Sequence, residues 1–325
     1  MSALFLRRIP YTKFLSWAIL VAIFIYLGKM VWGNWNEVKE ASFTLRPLYL
    51  IASAIFSVLW YLIQIWAWYQ ITLKLGIAVS LPETLASWFY SQLGKYLPGK
   101  LWLYLGRFYF YHSKGKSRKG LTVALYFETV TLVMAAGFVF LISVLLFREF
   151  DLFYLGIPFV GLIPIYILAL LFLHPKILEK IFNRILGLLR REPIAITISY
   201  FEVLCILGVC VLSWVAGGIG FYFFLDGVFP VSPRYFLFLT GALAFSSTLG
   251  LIALFAPSGL GVREGALVYL LSYIMPGSVA VVISVLTRIW MTLIEIGLTG
   301  MVYLLGKFQK GFAKRNEDVQ TGKDS

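Results

Sequence analysis

Ser91-Gln92-Leu93-Gly94, followed by Pro98-Gly99 and then Arg107, returns later in the chain as Ser247-Thr248-Leu249-Gly250, Pro257-Ser258-Gly259 and Arg263. In both copies the arginine stands thirteen residues after the glycine, with a Pro/Gly breaker between. Both copies lie in strongly apolar sequence. Apolar helices interrupted by Pro and Gly at corresponding places in two halves of a chain are the best sequence pointer to a transporter binding site. Short matches are cheap, but two copies of equal span with no insertion make chance recurrence the weaker reading.

The surroundings decide the class. Hydrophobic residues fill 60% of the 325 positions and charged residues only 13%, about half the share of a soluble domain. This composition specifies an integral membrane protein with several spans. Cys205 and Cys210 sit in an apolar run and read as small hydrophobes. His112 and His174 fall at span edges, and no His/Cys/carboxylate cluster has metal-ligand spacing. No metal or cofactor is expected. Basic residues precede an apolar run from Phe14 that is long enough to span and lacks a cleavage site, so it reads as a retained first helix.

Taken in order, spans are expected at Phe14–Val31, Leu48–Leu73, Leu121–Phe147, Leu152–Leu173, Ile198–Leu225 and Ser278–Leu305. Trp60, Trp66, Trp68 and Tyr69 crowd the later part of the second, as an interfacial belt does. Between spans two and three, a helix opening at Pro82-Glu83 stops near Leu97, too short to cross, and a second short helix follows over Lys100–Tyr111. The pair reads as a re-entrant hairpin. Tyr235–Phe255, the Pro257–Gly261 break and Val262–Ile274 form its counterpart. Gly217, Gly218 and Gly220 suit close helix approach. His174–Ile198 reads as a polar, amphipathic connection, and the tail after Lys307 as disordered. The fold class is therefore all-α and polytopic, with about six spans and two oppositely oriented hairpins. One membrane domain covers residues 1–306, with repeats over about 48–147 and 198–306, followed by a tail over 307–325.

Basic residues split eighteen to four between the two sets of loops. Cytoplasmic loops carry the Lys/Arg excess. Both termini are then cytoplasmic, in a cell (inner) membrane, and six full spans satisfy this. Reading Tyr235–Phe255 as a full span gives seven and puts the basic tail outside. With six, the hairpins enter from opposite faces in an inverted-topology repeat, and their tips meet near the bilayer middle.

Charges inside apolar segments face a protein interior or a watery path, because hydrocarbon penalises them by a few kcal/mol or more. Glu83, Lys100 and Glu202 lie near helix ends, where long side chains snorkel. Lys95 lies near a hairpin tip. Arg107 and Arg263 recur in the repeat, either to bind a ligand or to tie hairpin carbonyls together. Arg288 lies near mid-membrane and Glu295, seven residues on, shares its helix face. Glu128 and Glu264 complete the set, whose plainer reading is internal pairs that hold spans together. The candidate substrate-binding residues are Gln92, Lys95, Pro98, Gly99, Arg107, Glu128, Pro257, Ser258, Gly259, Arg263, Glu264, Arg288 and Glu295. Gly94–Lys100 mimics a P-loop, but Leu101 stands where the magnesium-binding hydroxyl belongs and no strand precedes it. No catalytic triad or nucleic-acid motif occurs, and the basic excess is loop charge facing anionic lipid.

At these residues the chain also resembles a known family. Leu-Gly-Lys-Tyr-Leu-Pro-Gly-Lys (93–100) with Leu-Gly-Arg (105–107), and Pro-Ser-Gly-Leu-Gly-Val-Arg-Glu-Gly-Ala (257–266), are similar to the two signature stretches of the lysylphosphatidylglycerol-synthase transmembrane (flippase-like) family. Glu128 falls where that family often has an acidic-then-basic pair, with Thr129 in place of the base. The resemblance implies translocation of a lipid with a polar headgroup, either an aminoacylated phospholipid or a polyprenyl-phosphate-linked sugar. It also implies a partner synthase or glycosyltransferase, since those activities belong to separate domains and this chain reads as a stand-alone module. The helix N-termini after Pro98 and Pro257 would offer partial positive charge to an anion. Two other functions fit the residues. One is a membrane-embedded transferase acting on a lipid phosphate with Glu264 or Glu128 as base; the other is a non-transporting scaffold for a synthase.

Overall fold

The computed structural model describes residues 25, 28–96, 101–147, 159–188, 190, 192–253, 256 and 259–321. They form helices with no strand among the described residues: α1 (Trp35–Glu40), α2 (Pro47–Lys74), α3 (Leu81–Gln92), α4 (Leu101–Ser113), α5 (Arg118–Leu146), α6 (Phe159–Phe172), α7 (Pro175–Leu188), α8 (Tyr200–Val228), α9 (Phe236–Ile252), α10 (Val262–Leu271) and α11 (Gly277–Thr321). Five segments among the described residues are long and apolar enough to cross a membrane: Pro47–Lys74, Arg118–Leu146, Tyr200–Val228, Pro233–Ile252 and Gly277–Lys307. Most of the expected first span lies outside the described residues, as does the start of the expected fourth, whose described part is α6.

Local chemistry sets the helix starts. Pro47 opens α2, where its missing N–H removes nothing. Ser199 and Glu202 form a capping box on α8, and Ser80 with Glu83 does the same for α3, so these glutamates do more than snorkel. Lys114 and the Ser80 hydroxyl and amide hold the Glu83 carboxyl down to about 2.

The core is a bundle in which α2 packs along α8, and α5 and α9 pack on α8 and on each other. α8 has little side chain on this face: a Cβ at Gly217 would stand 2.9 Å from the Trp60 ring, and one at Gly220 would stand 3.1 Å from Ser57 Oγ. α2 is apolar all round but not uniform. Ser53, Ser57, Trp60, Tyr61, Ile65, Trp68 and Thr72 are buried, while Ile51, Ile55, Leu59, Leu62 and Trp66 are exposed. The expected aromatic belt thus fails for Trp60 and Trp68, which lie on the buried helical face; Trp66 alone of the three tryptophans points outward.

The first interrupted segment flanks this bundle, and the second begins inside it with α9. α3 passes into a 3-10 turn at Leu93–Tyr96 and packs against α4; α3 also leans on α11, and α4 on α5. At 1.5 Å per residue, α3 and α4 reach only ~20 Å each. In the second segment α9 packs against α10, and α10 against α11. The expected disordered tail is instead helical: α11 runs to Thr321. Residues 307–321 contain no proline to stop it.

Candidate functional site

The same close contact recurs in both interrupted segments. A Cβ on Gly94 would stand 2.7 Å from the Trp102 carbonyl carbon and 2.9 Å from Leu103 N; one on Gly259 would stand 2.6 Å from the Gly250 carbonyl oxygen. Gly94–Leu103 and Gly250–Gly259 are equivalent pairs, each nine residues apart. In each segment one glycine, Gly94 in the first and Gly259 in the second, leaves room for the backbone of its partner; a Cβ on Gly250 would instead stand 2.9 Å from the Arg263 Cβ. Gly259 and Gly261 also adopt φ of +68° and +78°, a left-handed backbone that favours glycine. Pro98, Gly99, Pro257 and Ser258 lie outside the described residues.

Between these segments and the bundle is a cavity of about 220 Å³. Seven of the residues singled out in the sequence line it: Gln92, Lys95, Arg107, Glu128, Arg263, Arg288 and Glu295. Each charge has a definite place. Arg107, 2% exposed, donates from Nη1 to Glu128 Oε1 at 2.6 Å. Its guanidinium lies over the Trp68 ring (4.7 Å) and near that of Trp88 (5.9 Å), and Trp88 Nε1 donates to the same carboxylate oxygen at 3.3 Å. Lys95, in the 3-10 turn, pairs with Glu295 of α11. Arg288 of α11 donates to Glu264 Oε1 at 2.9 Å. Glu264 does not line the cavity; it is buried behind Arg288, and its Oε2 accepts from Gly261 N at 2.7 Å. The N-terminus of α10, expected to be open to an anionic ligand, is therefore already met by Glu264.

α11 is thus tied to both interrupted segments from one face, through Glu295 to the first and Arg288 to the second. Glu295 and Arg288 share the cavity side as their spacing requires, and from it they reach Lys95 and Glu264 respectively. The set holds four cations (Lys95, Arg107, Arg263, Arg288) against three carboxylates (Glu128, Glu264, Glu295), so its formal charge is +1. Trp60 Nε1, Ser247 Oγ and Glu128 Oε2, all on lining residues, are buried without a hydrogen-bond partner. Buried polar atoms in such a position are ready to bind a polar guest or water.

The wall was not foreseen in the sequence. Trp60, Tyr61, Trp88, Tyr104 and Trp214 supply it, with Trp60 and Trp214 in contact at 5.4 Å between ring centroids. The signal was available in α2, where Ser53, Ser57, Gln64 and Thr72 trace a polar stripe that Trp60 and Trp68 share. Thr129, on the base side of the expected acidic–basic pair, donates to Leu125 O at 2.8 Å and to the Tyr104 hydroxyl at 3.3 Å. No group of three metal-binding side chains occurs among the described residues.

A family model described as "Lysylphosphatidylglycerol synthase TM region" matches residues 16–297. Among curated proteins there is no match.

Proposed function

Since the chain belongs to the lysylphosphatidylglycerol synthase TM-region family, we propose that its cavity receives the anionic headgroup of a membrane lipid and passes it across the bilayer while the tails stay in hydrocarbon. The observation that carries this reading is the tryptophan-walled cavity onto which Lys95, Arg107, Arg263 and Arg288 converge, with Trp60 Nε1 and Ser247 Oγ buried on its wall without a hydrogen-bond partner. Cations gathered on a largely apolar wall favour an anionic guest, and a phosphate is one. Arginine grips phosphate through a planar fork, and Arg107 and Arg263 come to the cavity from equivalent places in the two repeats. The candidate site comprises Gln92, Lys95, Arg107, Glu128, Arg263, Arg288 and Glu295, with Glu264 orienting Arg288.

In this reading six spans and two re-entrant segments form an inverted repeat with both termini in the cytoplasm. The short helices α3 and α4, the close backbone approach at Gly94 and at Gly259, and the eighteen-to-four split of basic residues support it. The transferase alternative draws on Glu128 or Glu264 as base. Each already holds an arginine, which favours binding over proton transfer.

Proteoliposomes carrying phospholipid with a fluorescent acyl chain test the proposal. A membrane-impermeant reductant bleaches only the outer leaflet, so translocation appears as a second bleaching phase. Anionic phospholipid should show it and a neutral diacylglycerol-linked sugar should not. Equal rates for the two lipids, or none above empty vesicles, would remove the proposal.

A further inference from the structure

Away from the cavity, α7 has three distinct faces. Pro175, Leu178, Phe182 and Asn183 turn toward the protein; Lys176, Lys180 and Arg184 form an exposed cationic stripe; Ile177, Ile181, Ile185 and Leu188 form an exposed apolar stripe beside it. Both exposed stripes recur at i, i+4 and i+8, so each keeps to one side of the helix over its two turns, winding only slowly around it. Leu188 is 81% exposed. An isolated soluble helix gains nothing from an apolar stripe left in water.

The position of α7 explains it. The Asn183 side chain is bonded both ways to the backbone of Ile194, at 2.9 and 2.7 Å, and Glu179 accepts from Ile196 N at 3.1 Å. These bonds fix α7 to the strap over 192–199. Thr197 on the strap donates to Lys74 O at the end of α2, and Lys119 at the start of α5 pairs with Glu192. His174 stacks on Tyr200, which opens α8, at 4.8 Å. The helix and strap therefore lie across the ends of three spans, at one membrane boundary. On α6, just before α7 in the chain, Ile167, Leu168 and Leu171 are also exposed. A helix with an apolar stripe at the acyl boundary and cations beside it is built to lie in an interface and hold anionic headgroups.

We propose that α7 is a second lipid site, distinct from the cavity, in which Lys176, Lys180 and Arg184 bind the anionic headgroups of the adjoining leaflet while Ile177, Ile181, Ile185 and Leu188 rest on its acyl chains. The sign of the charge selects the occupant: an anionic phospholipid is held and a zwitterionic one is not. Each Lys or Arg at such a surface contributes about fivefold in affinity, so three together contribute on the order of 100-fold.

The test uses the full chain in detergent, in a Cys205→Ser, Cys210→Ala background, with Leu188→Cys carrying an environment-sensitive fluorophore. Short-chain phosphatidylglycerol and phosphatidylcholine are titrated in turn. The label reports α7 alone, so lipid entering the cavity is not scored. The expected result is a blue shift at much lower phosphatidylglycerol than phosphatidylcholine. Lys176→Gln, Lys180→Gln and Arg184→Gln together should abolish that preference, while Lys176→Arg with Lys180→Arg should keep it. All of these side chains are exposed, so folding is not at stake, and size-exclusion elution checks it. Equal midpoints for the two lipids in the unsubstituted helix would overturn the proposal. So would a preference that survives the triple substitution, or a shift that follows protein concentration and so assigns the stripe to a second copy of the chain.

Discussion

Arg107 allows the binding and structural readings to be separated. Arg107→Gln removes a guanidinium that is 2% exposed, bonded to Glu128 at 2.6 Å and lying 4.7 Å over Trp68. Breaking a buried pair from one side costs about 3–5 kcal/mol, because the other charge stays buried. Loss of the ring contacts adds ~1 kcal/mol. The single variant should therefore unfold at markedly lower temperature in detergent, with Glu128 left to Trp88 Nε1. Adding Glu128→Gln removes the stranded charge, and most of the lost stability should return, a coupling of about 2–3 kcal/mol in a double-mutant cycle. Translocation should not return, because the cavity has lost the fork that grips phosphate. Thermal unfolding is read beside lipid translocation for the four proteins of the cycle. If Arg107→Gln/Glu128→Gln recovers both stability and a wild-type rate, Arg107 is structural and the binding argument is wrong at its centre.

Gly94→Ala should destabilise the first hairpin by about 1–3 kcal/mol, since the new Cβ would stand 2.7 Å from backbone at Trp102, whereas Gly297→Ala meets nothing within 4 Å and should be neutral in the same melting assay. Lys95→Met should slow translocation and leave Glu295 without its lysine partner, while Lys95→Met with Glu295→Gln should restore stability but not rate, as measured in proteoliposomes and by melting. Glu83 titrates at about 2, below its ordinary value, so its pair with Lys114 stabilises the fold above the unfolded carboxylate range and is lost as pH falls from there through 2. Both partners are partly exposed, which limits the effect to about 0.5 kcal/mol, and Glu83→Gln should flatten that part of the stability–pH curve. Single cysteines in place of Lys116 and Lys180 should react with an impermeant reagent from the same face of sealed vesicles. Reaction from opposite faces would remove the first re-entrant hairpin and the inverted repeat with it.

Much of this site was legible because membrane burial makes charge conspicuous. Arg107, Glu128, Arg263, Arg288 and Glu295 stand out in apolar sequence, and the structure brings all five to one cavity. The two interrupted segments were legible because close backbone approach needs glycine, and Gly94 in the first and Gly259 in the second supply it. Partners were not legible: Arg288 and Glu295 share a face, yet each reaches across to a different interrupted segment, and spacing along one helix says nothing of what stands opposite. The tryptophans were misplaced for a related reason. A helix apolar on every side has almost no amphipathic signal, and only the sparse line of Ser53, Ser57, Gln64 and Thr72 distinguishes the inner face of α2. The capping boxes at Ser80–Glu83 and Ser199–Glu202 were readable from the four-residue pattern.

The central claim is that a lipid headgroup passes through this cavity, and plugging it is the direct measurement. Thr248→Cys places a thiol on the cavity wall, in a background of Cys205→Ser and Cys210→Ala. A bulky thiol reagent should stop translocation of anionic phospholipid in proteoliposomes, and excess anionic lipid should slow the modification itself. Fully modified protein that translocates at the unmodified rate would contradict the account.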